Sequence, residues 1–345
     1  METIGIIGEG KMGSSLFHFL ADFPLKIRWI TSQDADVGLL QNSLEKKWKR
    51  QWKNGLISQA DYDDKIARII ISRDLAYAGQ CDLVIEAIWE DPLRKKELFL
   101  QLDQVIERHC ILATNSSSIL PSRLFISPAR DPYIVGLHYF YPVQIRNIAE
   151  LIFTDRTTEG VKNRVQQFLQ STGKNFLLLN EANAFILNKL FLDIQNEAFR
   201  LVHDGVISVP ELDNLVKDTI FPAGIFEFMD QVGLDIMLTS VLNYTAGYPH
   251  QDYFDPLITR LGTMVATGKL GVRSGEGFYR YPRDPVSHEK KESGLTESLR
   301  AEIARHLKNT YLNSARRCTM QSRCTIDEMN EAIREYFGLT KGPFE

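Results

Sequence analysis

The sequence contains few cysteines, little excess charge and no long apolar run. Only four of its 345 residues are cysteines, and their spacing is not that of a zinc site. The 40 lysines and arginines nearly balance the 44 aspartates and glutamates, so the formal net charge of −4 does not imply a nucleic acid as partner. No segment is apolar enough for long enough to span a bilayer, and we expect no membrane association.

These features favour a globular protein of a reducing compartment. Cys81 and Cys110 open apolar, strand-like runs, which predicts that both thiols are buried. The first predicted strand begins almost at Met1, so we expect no signal peptide and a cytoplasmic location. A chain of 345 residues, 44% of them hydrophobic, is long enough for two domains with conventional cores.

Strand and helix patterns alternate in the N-terminal half, which predicts a parallel, doubly wound α/β sheet of the Rossmann type. The strands are predicted at residues 3–7, 26–31, 67–72, 82–88, 111–114, 133–138, 148–153 and 175–179. A helical excursion at 37–65 separates the second strand from the third, and beyond residue 181 the pattern is helical. We therefore predict a Rossmann-like domain at 1–181 and an all-helical domain at 182–281.

The C-terminal tail, residues 297–345, follows a polar linker predicted at 282–296 and repeats part of the helical domain. The matching pairs are Leu212-Asp213-Asn214-Leu215-Val216 with Met329-Asn330-Glu331-Ala332-Ile333, and Ala223-Gly224-Ile225-Phe226 with Gly342-Pro343-Phe344. This match requires a short gap and predicts a partial second copy of the helical domain. The alternative is an unrelated pair of amphipathic helices packed on the surface.

A glycine-rich segment, Gly8-Glu9-Gly10-Lys11-Met12-Gly13, lies between the first predicted strand and a helical stretch. There it would present backbone N–H groups and a helix N-terminus to a dinucleotide pyrophosphate. Gly8 permits a tight turn, Gly10 lets the phosphates approach, and Gly13 lets helix and strand pack closely. We predict that these residues, with Lys11 and Met12, bind the cofactor. The alternative is an ordinary glycine-rich turn.

Further motifs follow this segment in a fixed order. They are Glu86-Ala87-Ile88-Trp89-Glu90 with Lys95; Asn115-Ser116-Ser117-Ser118; His138-Tyr139-Phe140; Ala149-Glu150-Leu151; Phe185-Ile186-Leu187-Asn188-Lys189; Asp230-Gln231-Val232-Gly233-Leu234-Asp235; and Gly271-Val272-Arg273-Ser274-Gly275-Glu276-Gly277-Phe278-Tyr279. On these motifs the chain resembles the L-3-hydroxyacyl-CoA dehydrogenase family, including its 3-hydroxybutyryl-CoA dehydrogenases, over residues 3–281.

The resemblance implies an enzyme that interconverts L-3-hydroxyacyl-CoA and 3-ketoacyl-CoA with NAD. It implies a Rossmann-like domain followed by a helical domain similar to the C-terminal domain of 6-phosphogluconate dehydrogenase. It also implies a homodimer formed through the helical domain, or a monomer if the C-terminal repeat covers the same face.

His138 is the candidate general base. Oxidation of an alcohol requires a base for the hydroxyl proton, and an imidazole titrates near neutral pH. His138 ends a predicted strand, where open α/β sheets bind their ligands. Glu150, on the next predicted strand, could orient the ring and stabilise its charged form. The resemblance implies that the two residues form the catalytic pair; otherwise His138 could be a packed core residue.

The resemblance also implies roles for four other polar residues. Ser117 and Asn188 would hydrogen-bond the reacting oxygen and help to position substrate and cofactor. Glu90 and Lys95 would lie near the ribose and nicotinamide of the cofactor. Without the resemblance, Ser117 could belong to a capped loop, Asn188 could be a polar helix residue, and Glu90 with Lys95 a solvated pair.

Basic residues are candidates for contacts with coenzyme A and the cofactor. Lys46, Lys49 and Lys53 lie on the helical excursion, which in the family contacts the coenzyme A part of the thioester. A solvated, lysine-rich helix face is the alternative. Arg273 stands where the family usually has lysine and is expected to contact the cofactor, although a guanidinium is not equivalent to an ammonium group.

The chain departs from the family at two positions. Thr31 replaces the acidic residue that normally accepts hydrogen bonds from the adenosine ribose and repels a 2′-phosphate. Thr31 could make at most a weaker contact with the cofactor, and Ser32 or Asp34 could compensate. We expect NAD to be preferred without excluding NADP. Tyr141 replaces an asparagine near the nicotinamide and could narrow the pocket, so the substrate could differ from a straight-chain acyl-CoA.

Two other functions remain compatible with the sequence. One is a dehydrogenase of a free hydroxy acid on the same scaffold. The other is a dinucleotide-binding or structural protein without efficient catalysis, which the two departures suggest and the intact catalytic candidates oppose. The sequence does not specify the acyl group.

Overall fold

The computed structural model describes residues 1–246, 251–282 and 295–345. The chain forms two compact units, Met1–Ala184 and Phe185–Glu345. Most of the predicted linker, residues 283–294, lies outside the described residues. Within the described ranges, no helix combines the length and the apolar character needed to cross a membrane.

The first unit is an eight-stranded sheet with helices. Its strands are β1 (Thr3–Ile7), β2 (Lys26–Ile30), β3 (Ile69–Ser72), β4 (Leu83–Glu86), β5 (Ile111–Thr114), β6 (Ile134–Tyr139), β7 (Ile148–Phe153) and β8 (Asn175–Asn180). Its helices are α1 (Lys11–Leu20), α2 (Val37–Lys53), α3 (Gln59–Ala67), α4 (Pro92–Asp103) and α5 (Glu159–Ser171). The sheet order is β3-β2-β1-β4-β5-β6-β7-β8, which confirms the predicted Rossmann-like fold.

One pair of strands departs from the predicted parallel sheet. β6 and β7 are antiparallel, whereas the other neighbouring pairs are parallel. Residues 140–147 join these two strands without a helix. So short a connection suits antiparallel neighbours, because a parallel pair needs a crossover of a dozen or more residues.

The predicted helical excursion consists of two helices, α2 and α3. Ser58 and Asp61 form a capping box that begins α3, and this cap separates the two helices. α3 continues through Ala67, so β3 begins at Ile69 rather than at residue 67. The end of a helix and the start of a strand compete here for the same residues, which periodicity alone does not resolve.

Apolar layers cover both faces of the sheet, and one of them holds the glycine-rich segment in place. Trp29 of β2 stacks on Phe17 of α1 with a distance of 4.3 Å between ring centroids. The indole Nε1 of Trp29 donates a hydrogen bond to the carbonyl oxygen of Gly8 at 2.8 Å. Both rings are buried, so core packing fixes the turn between β1 and α1.

The second unit is helical, as predicted. Its helices are α6 (Ile186–His203), α7 (Val209–Thr219), α8 (Ile225–Val232), α9 (Leu234–Thr245), α10 (Asp255–Ala266), α11 (Glu297–Ser322) and α12 (Ile326–Phe337). α11 packs along α6 and buries Ile303, Leu307 and Tyr311. The tail therefore contributes to the core of this unit.

The predicted repeat extends to matching hydrogen bonds. In the first copy, Oδ1 of Asp213 accepts a hydrogen bond from the backbone N–H of Phe226 at 3.0 Å. In the tail, Oδ1 of Asn330 accepts one from the backbone N–H of Phe344, also at 3.0 Å. These residues occupy the same places in the aligned segments. We therefore propose that the tail is a partial second copy, and not an unrelated helix pair.

Candidate active site

The glycine-rich segment joins β1 to α1 in a conformation that requires glycine. The φ angle of Gly8 is +110°, and a Cβ atom on Gly13 would lie 2.1 Å from the carbonyl oxygen of Gly8. Gly10 is the N-cap of α1, so no side chain caps the first N–H groups of this helix. The space around Gly10 is open. Lys11 and Met12 form the first turn of α1. This backbone fits an anion at a helix N-terminus.

The carboxyl end of β2 carries an acidic side chain from another element. Thr31 is buried, and its hydroxyl lies 3.4 Å from the main-chain oxygens of Ser32 and Ser72. Glu9, in the glycine-rich segment, accepts hydrogen bonds from the backbone N–H and the hydroxyl of Ser32, at 3.0 and 2.5 Å. Asp34 is exposed on the following turn. The motif analysis does not single out Glu9, although the position of this acid inside the glycine-rich segment is visible in the sequence.

Lys95 belongs to a buried ionic cluster behind the site. Its side chain is 1% exposed, and Nζ lies 2.5 Å from Glu86 and 3.3 Å from Glu90. Glu86 also accepts hydrogen bonds from the hydroxyl of Thr114 at 2.7 Å and the backbone N–H of Ile88 at 2.8 Å. The alternative of a solvated pair is wrong for Lys95. Glu86 belongs to the motif Glu86-Ala87-Ile88-Trp89-Glu90, but only the fold shows that it is the buried ionic partner of Lys95.

Glu90 organises the loop that follows β5. Its Oε1 atom accepts hydrogen bonds from the Ser116 hydroxyl at 2.5 Å, from the backbone N–H groups of Ser117 and Ser118 at 3.1 Å, and from the Ser118 hydroxyl at 2.9 Å. Burial raises the pKa of Glu90, but Lys95 and the bonds from Ser116 and Ser118 outweigh it and hold the pKa below its usual range. An ionised Glu90 therefore fixes the position of Ser117.

His138 and Glu150 face each other across β6 and β7. They are directly paired in the antiparallel register, and Nδ1 of His138 lies 2.8 Å from Oε2 of Glu150. Both side chains are buried, and the ring of Phe140 lies against the imidazole with 4.5 Å between centroids. Oδ1 of Asn115 accepts a hydrogen bond from the backbone N–H of Tyr139 at 2.9 Å, which ties the loop after β5 to β6.

The first unit places several predicted residues at one edge of its sheet. The segments after β1, β4 and β5 leave the carboxyl ends of neighbouring parallel strands, and His138 lies near the carboxyl end of β6. This edge is where open α/β sheets bind ligands. Glu90 and Ser117 are in hydrogen-bond contact there. Tyr141 follows β6 with a side chain that is 56% exposed.

Two predicted residues lie in the second unit. Asn188 is in the first turn of α6; its Oδ1 accepts a hydrogen bond from the Tyr336 hydroxyl, and its Nδ2 donates one to the Tyr244 hydroxyl, both at 2.8 Å. Tyr336 belongs to the tail helix α12, and nothing in the sequence pattern indicated this contact. Arg273 donates a hydrogen bond to Asp235 at 2.7 Å.

The predicted coenzyme A lysines are exposed on α2. A cavity of about 520 Å³ on this helix is lined by Lys46, Lys47 and Arg50. Lys49 and Lys53 lie outside the lining.

Other features of the described residues lie apart from these groups. A cavity of about 800 Å³ in the second unit is lined by Asp193, Arg200, His203, Tyr253 and Arg317, among others, and by none of the predicted site residues. No three His, Cys, Asp or Glu side chains cluster within the described ranges in a way that could hold a metal ion. The two strand-opening cysteines are buried as predicted, and burial raises the pKa of each thiol to about 12.

Comparison with known proteins identifies the family. Residues 3–182 match the profile of the 3-hydroxyacyl-CoA dehydrogenase NAD binding domain, and residues 185–281 match that of the 3-hydroxyacyl-CoA dehydrogenase C-terminal domain. Human mitochondrial hydroxyacyl-coenzyme A dehydrogenase is 30% identical over 81% of this chain and 91% of its own length. The structure of (S)-3-hydroxybutyryl-CoA dehydrogenase from Ralstonia eutropha is 28% identical, covers 82% of this chain and 100% of its own, and gives a TM-score of 0.72.

A more distant structure shares the fold of the tail as well. The 3-hydroxybutyryl-CoA dehydrogenase from Escherichia coli is only 18% identical, but covers 99% of this chain and 90% of its own, with a TM-score of 0.79. The resemblance inferred from the motifs is thus confirmed over residues 3–182 and 185–281. The chain belongs to the 3-hydroxyacyl-CoA dehydrogenase family and is an oxidoreductase whose cofactor is NAD.

Proposed function

We propose that the chain interconverts L-3-hydroxyacyl-CoA and 3-ketoacyl-CoA, with His138 as general base and acid. The observation that supports this most directly is the buried 2.8 Å contact between Nδ1 of His138 and Glu150. A carboxylate in this position accepts a hydrogen bond from Nδ1–H and selects the tautomer whose Nε2 carries a lone pair. The basic nitrogen of such a histidine is Nε2, which is the ring nitrogen that does not face the carboxylate.

Oxidation of the alcohol removes a proton from its hydroxyl group and a hydride from its carbon, and each needs its own acceptor. Nε2 of His138 takes the hydroxyl proton, and Glu150 stabilises the imidazolium that results. Bound NAD supplies the acceptor for the hydride that leaves the carbon. In the reverse direction the imidazolium returns its proton to the carbonyl oxygen. Gly8, Gly10 and Gly13, with Lys11 and Met12, would hold the pyrophosphate of the cofactor.

Polar residues around the base would position the substrate. The Ser117 hydroxyl donates to the reacting oxygen, and Glu90 holds the backbone of Ser117 in place. The resemblance implies that the amide of Asn188, in the second unit, also binds the substrate. Lys95 keeps Glu90 ionised, and both lie in the segment that would approach the ribose and nicotinamide.

Basic residues on α2 would bind the phosphates of coenzyme A. Lys46, Lys47 and Arg50 line one cavity, and their combined charge suits a phosphate-bearing ligand. Lys49 and Lys53 lie on the same exposed side and would add long-range attraction. Arg273 would contribute a contact to the cofactor while paired with Asp235.

The C-terminal tail would make the chain a monomer. α11 covers α6, and polar contacts join the two helices. Ser314 and Arg317 donate hydrogen bonds to Asp193, and His306 lies 2.7 Å from Glu197. The resemblance implies that dimers form through the helical domain, and a face already covered by α11 is not available to a second chain.

Replacement of the catalytic pair should abolish most activity. We expect His138→Gln and Glu150→Gln to lower kcat for NADH-dependent reduction of acetoacetyl-CoA by roughly two to four orders of magnitude. Glutamine preserves hydrogen bonding without a titratable group, so NADH binding followed by fluorescence should be unchanged and serves as the control. Full turnover by His138→Gln would contradict the assignment of the base.

Neutralising the α2 cavity should weaken binding of coenzyme A thioesters. We expect the triple change of Lys46, Lys47 and Arg50 to alanine to raise KM for acetoacetyl-CoA by about tenfold, because three exposed charge contacts are lost. The KM for the phosphate-free acetoacetyl-pantetheine should not change. The double change of Lys49 and Lys53 to alanine removes charges outside the lining and is the comparison, with an expected rise in KM well below that of the triple variant. An unchanged KM in the triple variant would favour a free hydroxy acid as substrate.

The tail should influence the reaction through Asn188. We expect Tyr336→Phe to lower kcat by about tenfold with little change in NADH affinity, because the hydroxyl that orients the Asn188 amide is lost. Tyr311→Phe is the matched control, since the buried hydroxyl of Tyr311 has no hydrogen-bond partner among the described residues. Equal effects of the two changes would argue against a positioning role for Tyr336.

The assembly state is measurable on the full chain. Sedimentation velocity should give the mass of one chain over a wide concentration range, because α11 covers the face of α6. A species with the mass of two chains at all concentrations would show that the tail does not block dimerisation.

A further inference from the structure

At the end of β2, the position that normally carries an acceptor for the adenosine ribose is occupied by Thr31, which cannot act as that acceptor. In dinucleotide-binding folds, an acid at the end of β2 accepts hydrogen bonds from the adenosine ribose. Here the corresponding Thr31 is only 6% exposed, and its hydroxyl faces the carbonyl oxygens of Ser32 and Ser72. Its side chain offers neither negative charge nor an accessible acceptor to a ligand.

A carboxylate nevertheless lies at this strand end. Both oxygens of Glu9 accept hydrogen bonds from Ser32, the residue directly after Thr31, one from its backbone N–H and one from its hydroxyl. Glu9 stands between Gly8 and Gly10, so the same short segment that would receive the pyrophosphate also carries this acid.

The backbone around Glu9 is held firmly. The N–H of Gly8 donates to the carbonyl oxygen of Ile30 at 2.9 Å, and the Trp29 indole donates to the carbonyl oxygen of Gly8. The hydroxyl of Ser14 donates to the carbonyl oxygen of Glu9 at 2.9 Å. With Ser32 holding its carboxylate, Glu9 is fixed at both its main chain and its side chain, and little ordering remains to be done when a ligand binds.

We propose that Glu9 is the cofactor-specificity residue of this enzyme. Its carboxylate accepts hydrogen bonds from the adenosine ribose hydroxyls of NAD and repels the 2′-phosphate of NADP. A carboxylate has about four lone-pair sites, and Ser32 uses two of them, so acceptor capacity remains for the ribose. The acidic residue thus belongs to the glycine-rich segment and not to the strand, but its negative charge still lies at the end of β2.

This inference depends on the dinucleotide site and not on the acyl substrate. It requires neither the role of His138 nor that of the α2 cavity. A binding experiment with the cofactor alone therefore tests it separately from the proposed reaction.

The test compares the affinities of NADH and NADPH in wild type, Glu9→Gln and Asp34→Asn. Dissociation constants are measured by nicotinamide fluorescence on the full chain, and thermal unfolding shows that each variant is folded. We expect Glu9→Gln to weaken NADH by about tenfold and to tighten NADPH by several fold, because a charged acceptor and a repulsive charge are both lost. Asp34→Asn removes the same charge from the next exposed acid, and should change neither affinity by more than about twofold.

Salt provides a second measurement. Since the rejection of NADPH is electrostatic, raising the ionic strength to about 1 M should narrow the difference between the two cofactors in wild type and not in Glu9→Gln. Three results would overturn the proposal: equal weakening of both cofactors by Glu9→Gln, an unchanged preference in that variant, or a change of preference of the same size in Asp34→Asn.

Discussion

The antiparallel pairing of β6 with β7 is the constraint on which the geometry of the site depends. In a parallel sheet the strand after β6 would follow a long crossover, and its direction and register would place a different residue opposite His138. The short connection reverses the chain and sets a register in which His138 faces Glu150 directly. Directly opposed side chains in such a pair lie close enough to contact, so backbone hydrogen bonds, and not side-chain flexibility, hold His138 against Glu150.

Buried charge organises the rest of the first unit. Lys95 and Glu86 are both inaccessible to water, and removal of either partner from such a pair typically costs about 3–5 kcal/mol. Lys95 also neutralises Glu90, whose carboxylate accepts hydrogen bonds from Ser116, Ser117 and Ser118 in the loop after β5. A chain of charge contacts thus runs from the core of the sheet to Ser117. The loop is rigid because its backbone N–H groups have an ionised acceptor.

The proposed repeat in the second unit would show how a copied segment takes on a different role. In the tail, Asn330 makes the contact that Asp213 makes in the first segment. α11 lies along α6, and α12 brings the hydroxyl of Tyr336 to Asn188. The repeat therefore contributes both to the packing of this unit and to the surroundings of a residue that the family resemblance places in the reaction.

Sequence reasoning was sufficient for the fold class and the family, because periodicity and motif order are local properties of the chain. It also selected His138 and Glu150 as the candidate catalytic pair, and the two side chains are in contact in the fold. It also located the glycine-rich turn, whose steric demand at Gly8 and Gly13 leaves a visible pattern. It could not find that Glu86 neutralises Lys95, that Glu9 reaches Ser32, or that Tyr336 reaches Asn188. Each of these contacts joins residues that share no periodicity, and each depends on which strand ends and helix faces the folded chain brings together.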